Sequence, residues 1–463
     1  MPDGVMAVIL AAGEGKRMKS KLPKVMHQVC GRPMLEYVLA AAREAGVTKT
    51  IVVIGPGGEV IKETLGEGVE YAYQRERLGT GHAVLQAADM VPPEVETLLV
   101  LSGDTPTLPP RLLQELLALH HKRKAAASLV ITRLEDPKGY GRVLRNGAGK
   151  VLGIVEEADA DPAVKTVKEI NAGVYAFDRR ELFGALDQIS PANVQGEYYL
   201  PDVLGIFCKQ GLPVVAVTAD YEEIQGVNNR VQLAAAEGVI RRGILEALML
   251  AGVTIVDPAS TFIDAGVEIG RDTVIHPFTI IKGASRIGDD CSIGPMARLT
   301  GVTAADGVGI ENSVLLDCRL GAGVKVGPYA YLRPGTILEE GAKAGTFVEI
   351  KNSTIGKNSK VPHQSYVGDT IMAGDVNIGA GTITCNYDGW DKYITHIEEG
   401  AFIGSNTNLV APVRIGKKAV TGAGSTISKD VPAYALGLER ARQKIVSDYM
   451  KKKMREKGCE IED

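Results

Sequence analysis

Short apolar runs and amphipathic stretches alternate through the first half of the chain. Val5–Leu10, Thr50–Ile54, Val69–Tyr73 and Thr97–Leu101 have the length and composition of buried strands. Between them Pro33–Ala45, Gly81–Ala88 and Arg111–His121 place apolar residues at helical spacing. Strand, helix, strand in this order predicts a mainly parallel sheet with helices on both faces, spanning residues 1–226. Ligands of such sheets bind at the carboxyl ends of the strands. Val227–Leu250 opens with Asn228-Asn229 and carries Ile240, Ile244 and Leu248 on one face, which predicts a single linker helix capped by an Asn. Gly238 and Gly243 each weaken it by about 1 kcal/mol relative to Ala.

Beyond residue 250 the period changes. Aliphatic residues stand six apart from Ile263 to Leu299, then in a second register from Val308 through Val314, Leu320 and Val326 to Ile350. The pattern returns at Met372 and Ile378, and again from Ile397 to Ile427. A six-residue period suits neither a helix nor a long strand. It predicts a β-solenoid over residues 251–463 that turns a corner every six residues and stacks an aliphatic ladder inside. Cys385–His396 interrupts the ladder and holds the only Trp, so it predicts a loop extruded from the solenoid: a site, or a plain solvent-exposed insertion.

Composition narrows the class. The 463 residues are 45% hydrophobic and 23% charged, as in ordinary globular chains, and exceed what one core supports. A net charge of −4 offers no footprint for nucleic acid or an anionic membrane. No apolar run reaches the ~20 residues needed to span a bilayer. The N-terminal stretch lacks a basic leader, and the six cysteines are scattered without metal-ligand spacing. Together these predict a cytoplasmic protein with reduced thiols, small-molecule substrates and neither nucleic-acid nor membrane partners.

The first candidate chemistry follows the first strand. In Leu10-Ala11-Ala12-Gly13-Glu14-Gly15-Lys16-Arg17-Met18 small residues let the backbone approach a ligand and offer N–H groups to phosphate. Arg17 and Lys24 supply charge for a triphosphate or a leaving pyrophosphate. The P-loop and dinucleotide glycine patterns are both absent. The segment and the following Leu22-Pro23-Lys24 resemble the signature of sugar-1-phosphate nucleotidyltransferases, although Lys16 stands where that family usually has Thr.

That resemblance implies a Rossmann-like domain and extends to further positions. Gln74, Gly79 and Thr80 match its nucleobase-contacting segment, and Gly103 and Asp104 its metal-binding turn. Gly141, Glu156, Asn171 and Asn228 match positions that hold the sugar, with Asn228 also on the metal. The implied reaction is in-line attack of a sugar 1-phosphate oxygen on the α-phosphorus of UTP, with Mg²⁺ held by Asp104 and Asn228.

In the solenoid, His363 lies where the six-residue register slips. It is a candidate general base, against the commoner role of a buried structural histidine. Arg333 and Lys351 are 18 residues apart, one coil of three hexapeptides, so they stack into a phosphate site. Hexapeptide repeats of this kind are similar to those of left-handed parallel β-helix acyltransferases. Tyr331–Gly335 and Asn377–Gly389 resemble the acetyltransferase half of the bifunctional N-acetylglucosamine-1-phosphate uridyltransferase/glucosamine-1-phosphate acetyltransferase family.

The resemblance implies that His363 deprotonates the amine of glucosamine 1-phosphate, with Glu349 a candidate to orient it. Arg333, Lys351, Tyr366 and Asn377 then hold the sugar phosphate. Ala380, Asn386, Tyr387, Ser405, Ala423 and Arg440 contact acetyl-CoA, with Arg442 a rival to Arg440. It also implies a homotrimer. A nucleotidyltransferase carrying a purely structural β-helix remains the alternative reading. It leaves His363, the Arg333/Lys351 pair and Asn386-Tyr387 without a role.

Overall fold

The computed structural model describes residues 4–460, so residues 1–3 of the N-terminal stretch lie outside the described residues. The chain divides into two compact units, with the boundary between Ile244 and Leu245.

The first unit is built on one sheet. Its strands lie in the order Val214–Thr218, Ala127–Arg133, Glu169–Asp178, Thr97–Ser102, Val5–Leu10, Lys49–Ile54, Glu70–Tyr73. Val5–Leu10 is parallel to both its neighbours. Glu169–Asp178 runs antiparallel to both of its own. A hairpin of Arg142–Arg145 and Val151–Val155, rather than a crossover helix, precedes that strand, so the chain returns in the opposite sense.

Successive residues of the first strand feed opposite cores. Met6 and Val8 pack with Leu98, Val100 and Phe207 on one face, and Val5, Ala7 and Ile9 with Leu35, Leu39 and Leu116 on the other. The helices Met34–Glu44 and Pro110–Arg123 cover the second face, and Arg179–Leu186 and Asp202–Lys209 cover the first.

The long helix runs Arg230–Leu250. Asn229 caps it by accepting from the Gln232 amide at 2.9 Å, and Gln232 Oε1 accepts from the Asn228 amide at 2.8 Å. Leu233, Ala236, Ile240 and Ile244 pack on Val29, Cys30 and Met34.

The second unit is a parallel β-helix of three sheets with 11, 10 and 9 short strands. Ile263, Ile281 and Leu299 stack in one column, Ile269 and Ile287 in a second, Ile275 and Ile293 in the third. The second register departs from expectation at its start. Ile310, not Val308, stacks on Ile293, and Leu315, not Val314, stacks on Leu299. The turns from Leu299 to Ala304, from Ile310 to Leu315 and from Leu315 to Leu320 are each one residue short, so counting in sixes slips until Leu320. From Leu320 the columns run through Val326, Leu332, Leu338, Ala344 and Ile350 as expected.

Buried hydroxyls at the corners bond back to the backbone of neighbouring coils. Ser359 Oγ, for example, donates to Ala373 O at 2.7 Å and accepts from the Val376 amide at 2.9 Å. The C-terminal helix Tyr449–Glu456 is exposed.

Candidate active sites

The first site forms where the strand order reverses. Val5–Leu10 and Thr97–Ser102 are parallel neighbours, so their carboxyl ends meet, and the Gly103 amide donates to Leu10 O at 3.0 Å. A cleft of about 650 Å³ opens there. Leu10, Ala11, Ala12, Gly13, Arg17, Lys24, Gln74, Gly79, Thr80, Asp104 and Asn228 all line it.

Gly15 is left-handed at φ 66°, and a Cβ there would lie 2.8 Å from Lys24 Cβ, so the glycine lets the turn fold against Lys24. Lys16 pairs with Glu14 at 3.1 Å at the edge of the cleft. Gln74 is buried and donates to Gly79 O at 3.1 Å, which ties the two nucleobase candidates together. Thr80 Oγ1 accepts from the Leu200 amide at 3.0 Å.

Asp104 and Asn228 also come together: the Val227 amide donates to Asp104 O at 2.9 Å. Their side chains converge on one cation. The Lys24 ammonium pairs with Asp104 Oδ2 and donates to Asn228 Oδ1 at 3.0 Å. Two hard oxygen donors around a positive charge fit Mg²⁺, which takes few protein ligands and completes its shell with phosphate and water. Among the described residues no larger group of His, Cys, Asp or Glu gathers as a metal cage.

Gly141, Glu156 and Asn171 gather in a second group of the same unit. The Asn171 amide donates to Gly141 O at 3.0 Å, and Asn171 Nδ2 donates to the Tyr175 hydroxyl at 2.6 Å. A Cβ on Gly141 would sit 3.1 Å from Glu156 Oε1, so the carboxyl packs directly over the glycine. Burial, and then Asp202 and Asp159, push the Glu156 carboxyl up to about 7 against an opposing pull from Arg142. Arg142 itself is 2% exposed and pairs with Glu157 at 2.7 Å.

Two charged cleft residues escaped the sequence reading. Arg77 donates to Ala12 O at 2.8 Å and Pro56 O at 3.2 Å, and Glu197 lines the opening. Arg77 lies between Gln74 and Gly79, inside the nucleobase-contacting segment, so its charge was the available signal. Nothing local marks Glu197.

In the β-helix the sugar-phosphate and acetyl-CoA candidates occupy adjacent corners. Arg333 and Lys351 follow Leu332 and Ile350, which stack in register, so the two cations sit one above the other. Arg333 donates to Glu349 at 2.9 Å, and Lys351 to Asp369 at 3.4 Å. Tyr366 lies beside Glu349 on the same sheet. Glu349 therefore engages Arg333 rather than His363, which is registered with Thr346 on the neighbouring sheet.

His363 is exposed and ends the strand Lys360–His363, and Asn377 pairs with Lys360 one coil on. Along His363's corner the Gly381 amide bonds Gln364 O at 3.0 Å, the Asn406 amide bonds Ala380 O at 2.7 Å, and the Gly424 amide bonds Ser405 O at 2.8 Å. Ala380, Ser405 and Ala423 thus form a column one coil apart. Arg440 closes it by donating to Ala423 O at 3.1 Å. The extruded loop turns on Asp388, which accepts from the Trp390 and Asp391 amides at 2.8 Å. It buries Asn386 and leaves Tyr387 58% and Trp390 91% exposed.

Known proteins match both units. The model of the MobA-like NTP transferase domain matches residues 7–190. Bacterial transferase hexapeptide repeats match residues 266–301, and the hexapeptide repeat of succinyl-transferase matches residues 394–429. These repeats are those of the left-handed parallel β-helix. Over 448 residues the chain is 56% identical to the bifunctional protein GlmU of Heliobacterium modesticaldum, covering 96% of this chain and 98% of that protein. The proteins of the same name from Syntrophomonas wolfei and Brevibacillus brevis are 51% and 49% identical, over 95% and 97% of this chain. A likeness that runs unbroken through both units, each with its own constellation of candidate residues, leaves neither half as a spacer: the chain belongs to the GlmU family of bifunctional enzymes, nucleotidyltransferase and acetyltransferase in one polypeptide, which make UDP-N-acetylglucosamine.

Proposed function

We propose that the β-helix acetylates glucosamine 1-phosphate and that the α/β unit then couples the product to UTP. The observation that carries the first unit's role is the convergence of Asp104 and Asn228 on a cation at the mouth of the glycine-rich turn. There Mg²⁺ would neutralise phosphate charge when bound. The small residues Ala11 to Gly13 admit the triphosphate, and Gln74, Gly79 and Thr80 hold the uracil. Lys24 and Arg17 face the developing pyrophosphate, while Gly141, Glu156 and Asn171 hold the sugar hydroxyls.

In the second unit Arg333 and Lys351 take the sugar phosphate, with Tyr366 and Asn377 against the ring. His363 accepts a proton from the 2-amino group as its nitrogen attacks the thioester carbonyl. The C–N bond forms, the C–S bond breaks, and coenzyme A leaves as its thiol after protonation. Ala380, Ser405, Ala423 and Arg440 line the corner that the coenzyme follows, and Asn386 and Tyr387 flank its acetyl end.

An exposed apolar corner supports assembly as a homotrimer. Phe278, Met296, Tyr329 and Phe347 are each more than half exposed, and Tyr329 stacks on Phe347 at 5.3 Å. Among the described residues no helix is long and apolar enough to cross a membrane, and none of the six cysteines is in a disulfide. A reducing cytoplasm suits them.

The test supplies glucosamine 1-phosphate, acetyl-CoA, UTP and Mg²⁺ to the wild type and to His363→Ala, and measures free thiol and pyrophosphate. The wild type should release both. The variant should release neither, and adding N-acetylglucosamine 1-phosphate should restore pyrophosphate but not thiol. Thiol release by the variant at the wild-type rate would overturn the role of His363.

A further inference from the structure

Asp369 was not among the residues expected in either site, yet it joins two of the acetyl-transfer groups. It is 7% exposed and left-handed at φ 47°. Its Oδ2 accepts from Lys351 Nζ at 3.4 Å and also from Asn386 Nδ2, while its Oδ1 accepts from Asn352 Nδ2 at 2.6 Å. Its backbone extends the link. The Asp369 amide donates to Lys351 O at 3.0 Å, and Asp369 O accepts from the Thr395 amide at 3.1 Å.

Asn386 stands at the start of the extruded loop and Thr395 at its return, so one residue fastens both ends of that loop to the coil that carries Lys351. Burial pushes the carboxyl up, but the bonds from Asn352 and Asn386 and the charge of Lys351 outweigh it and hold it below the ordinary carboxylate range. A buried carboxylate accepting three side-chain donors is a rigid junction.

We infer that Asp369 is a positioning residue for acetyl transfer, tying the Lys351 cation of the sugar-phosphate corner to Asn386 of the loop so that both substrates are held in one register. The inference rests on the proposed roles of Lys351 and Asn386. Asp369 touches neither substrate. It acts by fixing the two side chains that do, and a displacement on the order of 1 Å in such groups lowers rate steeply.

The experiment compares Asp369→Asn, Lys351→Ala and Asn386→Ala in the full chain, measuring kcat and KM for each acetyl-transfer substrate alongside thermal melting. Asparagine keeps the shape and the left-handed backbone, but it has no charge to offer Lys351 and its single oxygen cannot serve Asn352 as well as Lys351 and Asn386. Asp369→Asn should raise the KM for glucosamine 1-phosphate and for acetyl-CoA together, each roughly tenfold, the usual scale for a lost charged hydrogen bond. Lys351→Ala should raise mainly the sugar KM, and Asn386→Ala mainly the acetyl-CoA KM. In the Lys351→Ala background, Asp369→Asn should add to the acetyl-CoA KM alone.

A merely structural Asp369 would lower the melting temperature and the amount of active enzyme while leaving both KM values unchanged, and that result overturns the inference. If Lys351→Ala and Asn386→Ala shift their KM values but Asp369→Asn shifts neither or only one, the junction fails and the site stands. If neither alanine variant moves a KM, the reading of the site fails and takes the junction with it.

Discussion

Replacing Glu156 with Gln tests the electrostatics of the proposed sugar-binding group directly. The carboxyl titrates near 7 instead of its ordinary 4.5 because burial and the negative charges of Asp202 and Asp159 penalise its ionised form more than Arg142 helps it. Each pH unit corresponds to ~1.4 kcal/mol, so holding the charge in the folded chain at pH 8 costs about 3 kcal/mol relative to the unfolded chain.

The sign follows from proton binding. Between 4.5 and about 7 the folded state holds a proton that the unfolded state has released, so wild-type stability falls as pH rises through that window. Glu156→Gln removes the penalty. Its gain should be near zero below 4.5, grow through the window and level off above about 7. For a unit of this size that is roughly 5–10 °C in melting temperature at the alkaline end.

The assay is calorimetry of the ligand-free chain across the window, following the transition that UTP with Mg²⁺ raises. Asp202→Asn should remove part of the gain, since it removes the second cause of the shift. With substrate present, the wild-type KM for N-acetylglucosamine 1-phosphate should fall as pH rises through about 7, because the carboxylate is the better acceptor for sugar hydroxyls. The Gln variant should show a higher, flat KM. Parallel melting curves for wild type and Glu156→Gln across the whole window would refute the reasoning.

Three further outcomes are expected. Gly79→Ala should destabilise the first unit by at least ~2 kcal/mol and raise the KM for UTP, because Gly79 has φ 111° and a Cβ would lie 2.5 Å from Tyr198 O; melting and uridylyl-transfer kinetics check it. Chelation of divalent cations should abolish pyrophosphate release while acetyl-CoA consumption continues, because the Asp104–Asn228 pair belongs to the first unit alone; loss of both activities would contradict this. Ile350→Ala, at a position with no exposure between Leu332 and Val367, should cost about 2–5 kcal/mol in the β-helix and weaken glucosamine 1-phosphate binding by loosening its neighbour Lys351; a calorimetric melt and the acetyl-transfer KM measure the two effects.

Local and periodic features were legible in the sequence because they depend on near neighbours. The first strand, Val5–Leu10, was read at its observed bounds, since an unbroken aliphatic run followed by small residues admits little else. The cap on the long helix was readable because Asn228-Asn229 stands at its start, and its bonds are local: Asn229 accepts from the Gln232 amide and Gln232 Oε1 accepts from that of Asn228. The six-residue ladder was readable because each coil repeats the same demand for a buried aliphatic. It failed at Val308 and Val314 because a corner one residue shorter still closes the coil, and only strand pairing reports that.

What the tertiary structure alone decided are partnerships between residues far apart in the chain. Lys24 lies 204 residues from Asn228, and no spacing rule joins them; the strand order brings Asp104 to the end of the first strand, and the Val227 amide holds Asn228 beside Asp104. The antiparallel return of Glu169–Asp178 was hidden for the same reason, since strand direction is set by the connection rather than by the strand's own residues. Glu349, expected to serve His363, turned to Arg333 because stacking in the solenoid outranks proximity in sequence. Asp369 is the clearest case. Its own neighbours in the sequence say nothing of a junction, and its role appears only when successive coils bring Lys351, Asn352 and Asn386 onto one carboxylate. Sequence determines which surfaces must be buried; folding determines which charges meet once they are.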